Sequence, residues 1–101
     1  MRATAQVQIE NDWARVTEWR FAPGAETGYH VHQYDYIVVP MTSGLLRLED
    51  RTGSREVKLT EGVSYAREKG VSHNVVNANT FEFRFLEIEI LRHQADRRPS
   101  G

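Results

Sequence analysis

Two histidines, His30 and His32, stand one residue apart in the stretch Gly28-Tyr-His-Val-His-Gln-Tyr-Asp-Tyr36. On an extended chain alternate side chains share a face, so both imidazoles point one way and Val31 points the other. Neutral imidazoles paired in this manner are ready ligands for a transition metal. A third histidine, His73, lies far along the chain in Gly70-Val-Ser-His-Asn-Val-Val-Asn77. If the chain folds back to bring His73 to the pair, three nitrogens converge and leave positions open for water and substrate, the catalytic rather than the closed structural kind of site. Zn, Fe, Mn, Ni and Cu all accept imidazole, so the ligand type does not choose among them. The blander reading is that these histidines are polar groups filling the mouth of a barrel.

Tyr36 shares the parity of the histidine pair. A phenol with a pKa near ~10 is a poor ligand unless a metal ionises it. Tyr36 is therefore either the catalytic hydroxyl that hydrogen-bonds a metal-bound water or the substrate, less readily a phenolate ligand, or else an aromatic lining the barrel. Asp35 is expected to point outward, and only a bulge would turn it in as a base. Glu87 and Glu89 are expected on a solvated outer face, Tyr34 and Trp19 in the core, and Arg47 and Arg84 on the surface unless they meet an anionic substrate.

These residues need strands to position them. Val7 and Ile9 put one face on a first strand over 5–10, and Thr17, Trp19 and Phe21 one face on a second over 13–21. Pro23-Gly24 after it suits a type II turn. The histidine strand is expected to run from Gly28 to Val39, with His30, His32, Tyr34 and Tyr36 inward if it stays regular. Asp50 to Ser54 reads as the loop of a hairpin. In 81–91, Phe81, Phe83 and Phe85 share one parity and Leu86, Ile88 and Ile90 the other, which predicts a bulge or burial of both faces at one end. Strands recur at short intervals with turn signals between, and no stretch has a helical period. The pattern predicts an all-β sandwich or barrel of roughly eight to ten strands, with a barrel domain over 1–92 and a polar tail, containing His93, over 93–101.

The 101 residues suit one domain, and a net charge of −1 gives no general attraction for nucleic acid or an anionic membrane. No apolar run approaches a membrane span. With no cysteine there are no disulfides, thiolate metal sites or thiol nucleophile. No secretory signal is visible after Met1, which makes the cytoplasm the expected compartment.

The spacing of Gly24, His30, His32, Gly62, Gly70, His73 and Asn77 resembles the two signature motifs of the cupin superfamily. The matching stretch covers roughly half of the chain. Trp19-Arg-Phe-Ala-Pro-Gly24 and Tyr34-Asp-Tyr-Ile-Val-Val-Pro40 are similar to a small cupin group linked to β-alanine degradation, a pathway association that names no reaction. Two positions depart from the pattern: Tyr36 stands at the usual glutamate ligand and Glu68 at a usual proline. The resemblance implies a double-stranded β-helix, the cupin jelly-roll barrel, with His30, His32 and His73 as metal ligands. It also implies a homodimer, with Trp13, Trp19 and the Ile88–Leu91 stretch as candidate contacts. The activity expected is that of a metal-dependent enzyme on a small polar metabolite (dioxygenase, isomerase or lyase type); the alternative is a ligand-binding or sensing module without catalysis.

Overall fold

Nine strands follow one another along the chain, and among the described residues there is no helix. The structure is a computed structural model that describes residues 1–92. The tail expected over 93–101, with His93, lies outside the described residues. The strands are β1 (Thr4–Glu10), β2 (Ala14–Phe21), β3 (His30–Val31), β4 (Asp35–Pro40), β5 (Gly44–Asp50), β6 (Gly53–Leu59), β7 (Tyr65–Arg67), β8 (Ser72–Asn77) and β9 (Phe83–Ile90). They form two antiparallel sheets, one in the order β1-β2-β9-β4-β7 and the other in the order β3-β8-β5-β6.

The core lies between the sheets. Phe21 and Phe83, both fully buried, pack with Phe85, Val38, Leu46, Leu59 and Val75. Burial of each large side chain contributes roughly 2–3 kcal/mol. Strand parity explains the choice: Leu46, Val57 and Leu59 face inward across the β5–β6 hairpin, and Val38 and Phe85 do so across β4 and β9. The hairpin turns on Arg51-Thr52, with the Asp50 carboxylate accepting from Thr52 N at 2.8 Å.

The turn at Ala22-Pro23-Gly24-Ala25 is type II in form: Ala25 N–H donates to the Ala22 carbonyl at 2.9 Å and Gly24 has φ 78°. A buried asparagine holds it in place. Asn77 Nδ2 donates to the carbonyls of Phe21, Ala22 and Phe81 at 3.1, 3.2 and 2.8 Å. Its backbone exchanges hydrogen bonds with Gly24 and Ala25. The glycine and asparagine anchors of the motif thus fasten the chain entering the histidine segment to β8, where His73 sits.

Three expectations are corrected. The histidine stretch is not one strand: β3 ends at Val31, and residues 32–34 cross to the other sheet before β4 begins. In β1 the register shifts between Val7 and Ile9, so Val7 lies opposite Thr17 and Ile9 opposite Val16, and the two do not share a face. Finally, Glu87 and Glu89 are not on a solvated outer face, because β9 has no bulge and is covered on both sides. Its register to β2 and β4 is unbroken from Phe83 to Ile90, so Glu87 keeps the inward parity of Phe83 and Phe85, while Leu86, Ile88 and Ile90 lie half-buried on the outer face.

Candidate metal centre

Residues His30 and His73 are direct cross-strand partners in the β3–β8 ladder. His32, just past β3, is tied to the loop before β8: its N–H donates to the Val71 carbonyl at 2.8 Å, and its carbonyl accepts from Gly70 N at 2.9 Å. Gly70 makes that approach with φ 99°, a conformation other residues rarely adopt. One ring nitrogen from each of the three imidazoles lies within 4.8 Å of the others. Nε2 of His32 is 3.1 Å from Nε2 of His30 and 3.2 Å from Nε2 of His73.

Those contacts cannot all be hydrogen bonds. Nδ1 of His30 lies 2.8 Å from the Gly28 carbonyl, which only accepts, so the proton is on Nδ1 and Nε2 presents a lone pair. His32 Nε2 can then donate to His30 or accept from His73, but not both. One contact always sets like against like. Protonation does not relieve this: burial, then the neighbouring imidazoles, pushes His32 and His73 down to about 4. A cation among the three nitrogens does relieve it. The spacing also suits one, because nitrogens bound at ~2.1 Å to a common ion stand roughly 3.0–3.4 Å apart. The residues fit a metal.

Around the trio the barrel encloses a cavity of about 330 Å³. Its walls include the apolar side chains Val38, Leu46, Leu48, Val57, Val75 and Phe85, and its polar lining includes Tyr36, Tyr65 and Glu87. Tyr36 is 3% exposed and its ring stacks on His32. Burial, then Tyr65 and Glu87, pushes its phenol up to about 12, so it stays protonated and is a donor. The Glu87 carboxylate lies 3.9 Å from Nδ1 of His32. Burial, then the charge of Glu89, pushes Glu87 up to about 7.

Of the other expected candidates, Trp19 alone lines the cavity. Asp35 keeps its outward register position opposite Ile90 and accepts from Lys69 N at 2.9 Å. Arg47 pairs with Glu49 at 3.0 Å and Arg84 with Glu18 at 3.2 Å, and neither lines the cavity. Tyr34 lies under the Arg15 guanidinium, 5.8 Å away. The inward acids missed by the sequence reading are Glu87 and Glu89, the second bonded to Arg15 at 2.7 Å. Their shared parity with Phe83 and Phe85 was the available signal.

Two antiparallel sheets closed on an inner cavity, with histidines from both sequence halves at one end, define a double-stranded β-helix. The chain belongs to the cupin family: the Cupin domain model matches residues 17–89. It is 53% identical to the Beta-alanine degradation protein BauB of Pseudomonas aeruginosa, over 88% of this chain and 94% of that protein. Among solved structures, a cupin domain from Bordetella pertussis has 57% identity and a TM-score of 0.87, covering 88% of this chain and 93% of that one. A double-stranded β-helix protein from Klebsiella pneumoniae, at 21% identity and TM-score 0.71 over 88% of this chain and 76% of that one, shares the fold.

Proposed function

We propose that the chain is a metal-dependent enzyme acting on a small polar metabolite, with dioxygenation, isomerisation and lyase-type elimination as the reactions open to it. His30, His32 and His73 would hold one divalent ion of Zn, Fe, Mn, Ni or Cu. The observation that carries this reading is the approach of three ring nitrogens, at 3.1 and 3.2 Å, that cannot satisfy one another. Such an ion, when bound, polarises a ligand oxygen or lowers the pKa of a water. Tyr36, protonated at neutral pH, donates a hydrogen bond to the substrate or to that water. Glu87, at about 7, can give or take a proton near neutrality. The apolar walls exclude bulk water and strengthen both effects. The similarity to the Pseudomonas β-alanine degradation protein supports a small polar metabolite as substrate.

A second reading, a ligand-binding or sensing module without catalysis, is favoured by Tyr36 at the position of the family's carboxylate ligand. Ligand binding without turnover in the presence of oxygen would favour the module.

The deciding experiment is the metal content of untagged protein beside a His30→Ala, His73→Ala double variant. Near-stoichiometric metal that disappears in the variant supports the site. Fe, Mn, Ni or Cu would direct the search to redox chemistry and Zn to acid–base chemistry. No metal in either protein, and none taken up on reconstitution, would sink the enzyme reading.

We also propose a homodimer working in the cytoplasm. Its interface would be the outer face of the five-stranded sheet, where Ile9, Val16, Ile88 and Ile37 lie side by side in register.

A further inference from the structure

The cavity that holds the histidines is also lined from β6 and β7, one edge strand of each sheet. Each edge contributes an arginine of inward parity. On β6, Arg55 lies opposite Leu48, in the face that also carries Val57 and Leu59. On β7, Arg67 lies opposite Tyr36. Both line the cavity.

Five other arginines of the described residues are paired with carboxylates: Arg15 with Glu89 and Glu10, Arg20 and Arg84 with Glu18, Arg47 with Glu49, and Arg92 with Asp12; Arg2 and Arg51 are not, but neither lines this cavity. Among the described residues no carboxylate lies within 4.0 Å of Arg55 or Arg67. Arg67 is steadied by its own chain: its guanidinium lies 4.7 Å from the centre of the Tyr65 ring and gives one N–H to the Ala66 carbonyl at 2.9 Å. The rest of its fork is uncommitted. Trp19 lines the same cavity, and its buried indole N–H faces the Glu87 carboxyl and favours its ionised form.

The cavity therefore brings together the cations Arg55, Lys58 and Arg67, apolar walls and the three imidazoles. We infer that its ligand is a short-chain monocarboxylate carrying a second oxygen function, with the carboxylate held by Arg55 and Arg67 and the other oxygen placed at the histidines. Planar guanidinium forks match the two oxygens of a carboxylate. The apolar walls require a carbon chain, and Glu87 on the inner wall opposes a second negative charge there. At about 330 Å³ the space lies at the small end of ligand pockets, which suits a metabolite of a few carbons. The carboxylate half of this inference stands on the arginines alone; the placement of the second oxygen at the histidines rests on the proposed metal site.

The test uses 3-hydroxypropionate as probe, with its neutral counterpart propane-1,3-diol and inorganic phosphate beside it. Binding is followed by calorimetry and ligand-observed NMR on zinc-loaded and on metal-free protein. The proteins are the wild type, Arg67→Lys, and an Arg55→Gln, Arg67→Gln double variant whose fold is checked by thermal melting. The expected result is binding of 3-hydroxypropionate but not of the diol, at least tenfold weaker in the double variant and intermediate in Arg67→Lys. Zinc affinity should be the same in all three proteins. Absence of 3-hydroxypropionate binding, equal binding by wild type and double variant, or tighter binding of phosphate than of the carboxylate would overturn the inference. Loss of zinc binding in the wild type would instead remove the proposed metal site, and the arginine dependence measured on metal-free protein would still decide the carboxylate.

Discussion

The ring of Tyr36 lies against the ring of His32, with 3.8 Å between centroids and 16° between planes. The tyrosine is therefore a wall on one side of the His32 imidazole, whatever its hydroxyl does. It limits how His32 can turn, so the Nε2 direction is set by packing as well as by the backbone bonds to Gly70 and Val71.

Replacement of Tyr36 separates its two contributions. Tyr36→Phe keeps the stacked ring, so metal affinity measured by calorimetry should stay within about threefold of wild type, while turnover or ligand affinity falls. Tyr36→Ala removes the ring and leaves a cavity, costing about 3–5 kcal/mol of stability and weakening metal binding as well. A large loss of metal affinity in Tyr36→Phe would mean that the phenol oxygen is itself a ligand.

Acid should destabilise the metal-free protein. His32 and His73 are held down to about 4 when folded, against 6.5 otherwise. Their contribution is complete above pH 6.5 and is lost as the pH falls toward 4, because the unfolded chain takes up protons that the folded one refuses. Glu87 acts in the opposite sense. Raised from 4.5 to about 7, it lowers stability as the pH rises through that window. Two histidines outweigh one carboxyl, so melting temperature should fall from pH 6.5 to 4. Glu87→Gln removes the opposing group, so the fall should be steeper and the melting temperature at pH 7 higher. Parallel melting curves for wild type and variant across this range would contradict the assignment.

Asn77 is a structural hub, not a ligand. Its side chain holds the carbonyls of Phe21, Ala22 and Phe81 from a fully buried position. Asn77→Ala strands those acceptors and should cost about 2–4 kcal/mol by urea denaturation. Asn77→Asp should be no better, since a carboxylate cannot donate to them.

The row of Ile9, Val16, Ile88 and Ile37 on the outer sheet face leaves Ile9 53% exposed. Light scattering on eluting protein should give the mass of two chains, and Ile9→Lys together with Ile88→Lys should shift it to one chain with the fold retained. A single-chain mass for the wild type would refute the dimer.

The barrel and its histidines were legible because they rest on local signals: alternation within strands, Pro23-Gly24 at a turn, and fixed intervals between histidines and glycines. What escaped depends on the second sheet. Leu86, Ile88 and Ile90 are as apolar as Phe83 and Phe85, so alternation alone cannot say which set faces inward, and Glu87 was placed outside. The break between Val31 and Asp35 is a change of sheet, which carries no compositional mark in a segment rich in β formers. Arg55 and Arg67 look like ordinary surface arginines until β6 and β7 are set beside the same cavity.

The cross-strand pairing of His30 with His73 also bears on the order of events during folding. His32 and His73 are 41 residues apart in the chain, and the ladder that joins β3 to β8 is a long-range pairing of the kind that forms slowly. An unfolded chain offers an ion the local pair His30 and His32 and nothing more. A third nitrogen is available only after the barrel has closed. An ion bound by all three would thus leave the rate of folding nearly unchanged and slow unfolding, acting as a latch on a finished structure and not as a nucleus for it. Stopped-flow unfolding with and without metal would register the difference on one limb of the kinetics alone.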